Sequence, residues 1–297
     1  MNPVKNYLSL IKFSHTIFAM PFALVGFFLG NADNGGLLWK VSGQFLPVDL
    51  FYEKLILVVL CMVFARSAAM AFNRYLDRSI DAKNPRTIIR EIPAGKIKAN
   101  HALVFTILCC VCFVICSFLI NRLCFYLSFI ALFTVLAYSY TKRFTFLCHL
   151  ILGLGLSLAP IGAYIAVTGI FNIIPILFSF LVIGWVSGFD VIYALQDKEF
   201  DESQDLHSIP VRFGKAKALN ISNVLHISTS ILVLIIGWLG SFGLLFWIGA
   251  AVFIAMLIWQ HMLVKPNDLS KVNLAFMTTN GIASVAFAFF IILDLLF

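Results

Sequence analysis

The chain has 297 residues, of which 61% are hydrophobic and only 12% charged, with a mean hydropathy of +0.98. That composition cannot clothe the surface of one or two water-soluble domains, so a soluble enzyme is excluded and an integral membrane protein remains. The net charge of +7 needs a separate explanation, which the distribution of the bases supplies below.

Apolar runs that approach the roughly 20 residues needed to cross a hydrocarbon core recur along the whole chain. They predict nine helices, at 8–30, 55–76, 101–120, 122–140, 146–168, 171–195, 218–239, 242–263 and 274–297. The runs do not alternate with period two, which argues against a barrel. No polar segment is long enough to fold alone. The expected architecture is therefore all-α: one polytopic membrane domain over residues 1–297, a bundle of nine transmembrane helices around a central cavity. The first run contains Pro21 and leads directly into further spans, so it reads as a retained helix and not a leader.

Nine crossings sort the loops into two sets. Of the 21 Lys and Arg, seventeen fall on the side of the N-terminus, three (Lys40, Lys54 and Arg122) on the other, and Arg66 within a span. This asymmetry predicts a cytoplasmic N-terminus. It also accounts for the net charge through topology and anionic membrane lipid, with no nucleic acid partner. The seven cysteines lie within or at the ends of spans; Cys109 and Cys112 form a CxxC on an apolar helix and read as packing.

Charge concentrates at two places. After the second span, Asn73, Asp77 and Asp81 follow one another at four-residue steps, which puts them on one helix face. Stacked carboxylates repel, and a solvated face or a bound cation relieves the repulsion; hard oxygen ligands of this kind suit Mg²⁺. A second set, Asp197, Asp201 and Asp205, repeats the step about 120 residues later, with Asp190 two turns deeper. Both sets end spans on the cytoplasmic side and are interleaved with bases. Mg²⁺ on one or two carboxylates keeps positions open for phosphate, and the surplus bases suit the remaining phosphate oxygens. The ligand inferred is a lipid diphosphate whose allylic C–O bond ionises in a dry, apolar, aromatic-rich site. A divalent-cation transporter is the competing class, but its acids belong at membrane mid-depth and these lie at helix ends.

The motifs themselves resemble a known family. "NRYLDRSID" is similar to the first aspartate-rich motif, NDxxDxxxD, of the UbiA superfamily of intramembrane prenyltransferases, and "DVIYALQDKEFDE" to the second, in its DxxYAxxDxxxD form. "RSAAMAFN", "PRTIIREIPAG" and "YSYTKRFT" resemble the Arg-bearing segment before the first motif, the RT…RPLPSG connection and the YPxxKRxT loop. With "HSIPVRFG", the chain is most similar to the bacterial group called 4-hydroxybenzoate polyprenyltransferases. The resemblance implies a nine-helix fold and a polyprenyl diphosphate donor bound through Mg²⁺ by Asn73, Asp77, Asp81, Asp197 and Asp201. It further implies that Arg66, Arg86, Arg90, Lys142 and Arg143 surround the diphosphate and that Asp190 and Tyr193 lie nearest a small aromatic acceptor. The implied reaction prenylates the ring ortho to a phenol in quinone biosynthesis, at the cytoplasmic face of a bacterial inner membrane. Asp77 and Asp197 would activate the donor and Asp190 would polarise the phenol or take a proton. A dihydroxynaphthoate acceptor from a menaquinone route fits the same residues. Three positions depart from the pattern: Arg74 replaces the second acid, Glu91 replaces a Pro, and "FSHT" leaves Lys12 and His15 where a basic–Pro pair is usual.

Overall fold

The computed structural model describes residues 3–12, 18–33 and 48–297 and is all helical apart from one isolated bridge between Lys265 and Asp268. Eight helical stretches among these residues are long and apolar enough to span a membrane. They are Val48–Leu76 (α3), Ala99–Ile120 (α5), Arg122–Thr141 (α6), Cys148–Thr168 (α7), Ile173–Ser203, Ile209–Leu239 (α10), Leu244–Leu263 (α11) and Val272–Leu296. The stretch Ile173–Ser203 comprises α8 (Ile173–Ala194), a 3₁₀ turn (Leu195–Asp197) and α9 (Lys198–Ser203); Val272–Leu296 comprises α12 (Val272–Leu274), a π turn and α13 (Asn280–Leu296).

The predicted first helix, 8–30, is corrected. A short helix α1 (Pro3–Leu10) stops in a turn where Lys12 takes a positive φ of 47°, and α2 runs only from Met20 to Asp33. His15 lies outside the described residues. Two other boundaries move outward. α3 begins seven residues early, because Asp49, Glu53 and Lys54 lower the hydropathy of its first turns without preventing helix. α10 begins at Ile209, since Ser208 caps it by accepting the Val211 amide and Pro210 suits a first turn. Gly214, at φ 77°, kinks that helix where a side chain would be strained.

Most of the packing joins neighbouring spans, α3 on α5, α7 on α8, α10 on α8 and α11 on α13, and one long-range pair sets α2 on α7. Aromatic side chains dominate the largest buried cluster: Phe22, Phe178, Trp185, Phe189, Phe253 and Phe287 interlock from four helices. The π turn Ala275–Thr279 leaves carbonyls that need partners. Gln260 Nε2 donates to Ala275 O at 2.9 Å and Asn280 Nδ2 to Phe276 O at 3.0 Å, while Trp185 Nε1 donates to Asn280 Oδ1 at 2.9 Å.

α2 meets α7 at backbone distance through Gly26, where a Cβ would sit 2.0 Å from the Pro160 carbonyl oxygen. Gly26→Val is expected to lower stability by roughly 1–3 kcal/mol, because α2 must move off α7 to accept it. Thermal unfolding in detergent, followed by circular dichroism, checks this; an unchanged midpoint would show that the helices do not approach so closely.

Candidate active site

Backbone hydrogen bonds carry the helical step across the end of α3. Asp77 N donates to Asn73 O at 2.9 Å and Asp81 N to Asp77 O at 2.8 Å, so α4 (Arg78–Asp81) continues the turn. The predicted four-residue face of Asn73, Asp77 and Asp81 therefore forms. Asn73 Nδ2 donates to Asp77 Oδ2 at 3.2 Å. Asp77 is only 2% exposed, and the loop after α6 supplies its counter-ions: Lys142 Nζ lies 2.5 Å from Oδ2 and Arg143 Nη2 2.8 Å from Oδ1. Asp81 points to a different loop. Arg90 Nη1 donates to its Oδ1 at 2.7 Å, while its buried Oδ2 has no hydrogen-bond partner among the described residues and Arg74 Nη1 stands 3.9 Å away.

The second acidic set lies at the end of α8. Arg86 grips Asp197 with both ends of its guanidinium fork, Nε donating to Oδ1 at 2.9 Å and Nη2 to Oδ2, and Asn84 Nδ2 adds a bond to Oδ1 at 3.3 Å. Burial opposes the Arg86 charge, but the hydrogen bonds and charge of Asp197 outweigh it and hold its pKa above the ordinary value. Arg86 Nη1 also donates to the Tyr193 hydroxyl at 2.9 Å. The loop bearing Arg86 and Arg90 thus ties the end of α3 to the end of α8. Half-buried Asp201 on α9 lies within electrostatic reach of Asp197, Lys142, His149 and Arg86, so Lys142 serves both acidic sets. Asp205 leaves the series, because α9 ends at Ser203 and Asp205 turns out at φ 52°. Among the described residues, no three Asp, Glu, His or Cys side chains converge closely enough to hold a metal ion unaided.

Arg66 is not at this mouth. It lies eleven residues before Asp77 on α3, about 16 Å along the helix at 1.5 Å per residue. There it joins the wall of a cavity of about 280 Å³. Nearly all of the remaining wall comes from α3, α5, α6 and α7 and is almost wholly apolar, Met62, Phe113, Leu127, Val135 and Leu156 among its residues. The cavity is set to the side of the bundle formed by these four helices rather than ringed by all of them. Arg66 Nε is buried without a hydrogen-bond partner among the described residues, and Tyr138 shares the cavity. A cation left so exposed to apolar surroundings is costly unless an anion joins it.

Two partnerships escape sequence reasoning. Asp190 Oδ2 lies 2.7 Å from Nδ1 of His149, at the start of α7. Gly153 permits that reach, since a Cβ there would meet Ser187 Oγ of α8 at 2.6 Å. The other joins two of the departures from the family pattern. Buried Arg74 lies within electrostatic reach of Asp81 and Glu91, and Glu91, also buried, accepts a hydrogen bond from Ser9 Oγ of α1. Arg74 thus comes with an acid at position 91.

Comparison with known proteins adds to this geometry. The model of the UbiA prenyltransferase family matches residues 19–290. A 4-hydroxybenzoate octaprenyltransferase from Aliivibrio fischeri (strain ATCC 700601 / ES114) is 31% identical over 262 residues, 84% of this chain and 89% of that protein. One from Tolumonas auensis is 30% identical over 235 residues, 79% and 82% of the two chains. Among solved structures, a UbiA homolog from Aeropyrum pernix K1 superimposes with a TM-score of 0.76 at 26% identity, covering 93% of this chain and 95% of that one. A UbiA homolog from Archaeoglobus fulgidus, bound to GPP and Mg²⁺, superimposes with a TM-score of 0.74 at 20% identity, covering 98% and 99%.

Proposed function

The chain belongs to the UbiA prenyltransferase family, and from that premise we propose that it transfers a polyprenyl group from an allylic diphosphate to 4-hydroxybenzoate or a similar hydroxyaryl carboxylate, as a step of respiratory quinone biosynthesis. The observation that carries this reading is the placement of Lys142, Arg143 and Arg86 between the acidic ends of α3 and α8, with α3 and α6 also walling an apolar cavity. A molecule with a diphosphate head and a hydrocarbon tail fits both. The names of the relatives support the acceptor.

The acidic set fits Mg²⁺: its donors are all oxygens, and Asp81 Oδ2 is buried without a hydrogen-bond partner among the described residues. Asn73, Asp77, Asp81, Asp197 and Asp201 would hold the ion, whose charge, when bound, stabilises the departing diphosphate. Because no three such side chains converge among the described residues, the donor's phosphate oxygens would complete the site. Lys142, Arg143, Arg86 and Arg90 orient those oxygens and stabilise the leaving charge. The cavity excludes water from the allylic cation, and Asp190 polarises the phenol or accepts a proton. Arg66, a half-buried cation with no ion-pair partner among the described residues, suits the acceptor carboxylate. Tyr193, held by Arg86, stands between Asp197 and the aromatic core.

An acceptor whose carboxylate is replaced by methyl is expected to react with a KM raised at least about tenfold, the equivalent of roughly 1.4 kcal/mol of lost binding. Equal kinetics with and without the carboxylate would remove the anionic-acceptor claim.

The basic bias of the loops supports a nine-span arrangement, the region of α1 and α2 supplying the ninth crossing, with the N-terminus and the acidic helix ends at the cytoplasmic face of a bacterial inner membrane. Single cysteines at positions 96 and 215, in a background lacking native cysteines, are expected to react with an impermeant thiol reagent only from the cytoplasmic side, and one at position 40 only from the other. Labelling of positions 40 and 96 from one side would contradict nine spans.

A further inference from the structure

His149 is 3% exposed, and both of its ring nitrogens are engaged. Nε2 lies 3.4 Å from the backbone N of Ile209, the first residue of α10. That amide is a donor with no partner inside its own helix, so Nε2 must be the acceptor and carry no proton. The ring proton is then on Nδ1 and is donated to Asp190 Oδ2 at 2.7 Å, which fixes a neutral imidazole facing a carboxylate. Ser187 Oγ holds the backbone of the same histidine by donating to its carbonyl at 3.2 Å, one turn before Asp190 on α8. The second oxygen of Asp190 accepts no hydrogen bond among the described residues, and the side chain is 24% exposed. The carboxylate is therefore clamped on one oxygen and open on the other.

We propose that His149 is a positioning residue for the prenyl transfer: it holds Asp190 in a single orientation with Oδ1 free to take the proton that the acceptor ring loses. This rests on the reading of the chain as an aromatic prenyltransferase. In the step served, the donor's C1–O bond breaks and its electron pair leaves with the diphosphate, while C1 bonds to the ring carbon ortho to the phenol. The hydrogen on that carbon leaves as a proton to Asp190 Oδ1, and its bonding pair returns to the ring. His149 stays neutral throughout, because Ile209 occupies the nitrogen that would otherwise be protonated.

The two nitrogens of His149 have separate tasks, which makes the inference testable. His149→Asn keeps an N–H donor near the place of Nδ1 but leaves the Ile209 amide unpaired; His149→Phe removes both contacts. Steady-state kinetics with polyprenyl diphosphate and 4-hydroxybenzoate are measured beside thermal unfolding of each variant in detergent. His149→Phe is expected to lower kcat roughly ten- to hundredfold with both KM values within about twofold, a part of the 10²–10⁴ that a positioned proton acceptor contributes. His149→Asn is expected to unfold at lower temperature yet keep kcat within about threefold of wild type. Adding His149→Phe to Asp190→Asn should cost less than about twofold more. Should the Phe variant fail to accumulate, His149→Met carries the same expectation. If kcat falls equally in the Asn and Phe variants, or follows the unfolding temperature, the histidine is only structural and the inference is overturned. If wild type itself prenylates no phenolic acceptor, the functional reading fails and takes this inference with it.

Discussion

Asp77→Asn and Asp197→Asn are each expected to abolish turnover, by roughly 10³-fold or more, while leaving the bundle folded. Each change removes a negative ligand from one half of a site that needs both halves, since no three metal-binding side chains converge by themselves among the described residues. The fold should survive because the bases that lose a partner can reach water. Lys142 and Arg143 are 29% and 30% exposed and Arg86 is 34% exposed, so none becomes a buried unpaired charge. The amide is also close in shape to the carboxylate it replaces. Release of diphosphate at saturating Mg²⁺, read beside the circular dichroism of the purified variants, checks the expectation. Near-normal turnover in either variant would show that the two acidic ends do not share one substrate.

Asp190→Asn should leave donor binding intact and lower kcat by about 10²–10⁴. The amide retains an oxygen for the His149 N–H but cannot take up a proton at neutral pH. Asp190 also lies two turns before Asp197 on α8, away from the bases that grip the acids of the mouth. The KM for the donor is therefore expected to stay within about threefold of wild type. A variant that raised the donor KM and spared kcat would move Asp190 into the diphosphate site.

Hydropathy made the spans legible from α3 onward, because a continuous apolar run that long has few other uses. The spacing of Asn73, Asp77 and Asp81 was legible too, since helical period alone puts them on one face. What spacing could not supply is the direction each acid takes at the helix end. Asp77 turns to Lys142 and Arg143, 65 and 66 positions later, and Asp81 to Arg90. His149 carried no signal: it sits alone at the head of an apolar helix, and its partner is 41 residues away. The same holds for Arg74 and Glu91, each of which alone reads as a departure and which come within electrostatic reach only once the loop before α5 folds back over α3. Asp205 was misplaced for a local reason, the left-handed turn that ends α9. The start of α10 lies before the apolar run, in a polar stretch where Pro210 acts as a first-turn residue and Gly214 as a kink.

The claim that joins these residues is prenylation of a hydroxyaryl carboxylate by a donor held between two acidic helix ends. Mass spectrometry of the product formed by membranes containing the protein, supplied with polyprenyl diphosphate, Mg²⁺ and equal amounts of 4-hydroxybenzoate and dihydroxynaphthoate, tests it most directly. The predicted result is 4-hydroxybenzoate carrying one polyprenyl chain ortho to its hydroxyl, with one diphosphate released per product and none of either when Mg²⁺ is chelated. A prenylated naphthoate as the main product would contradict the acceptor, and the absence of any prenylated aromatic would contradict the account as a whole.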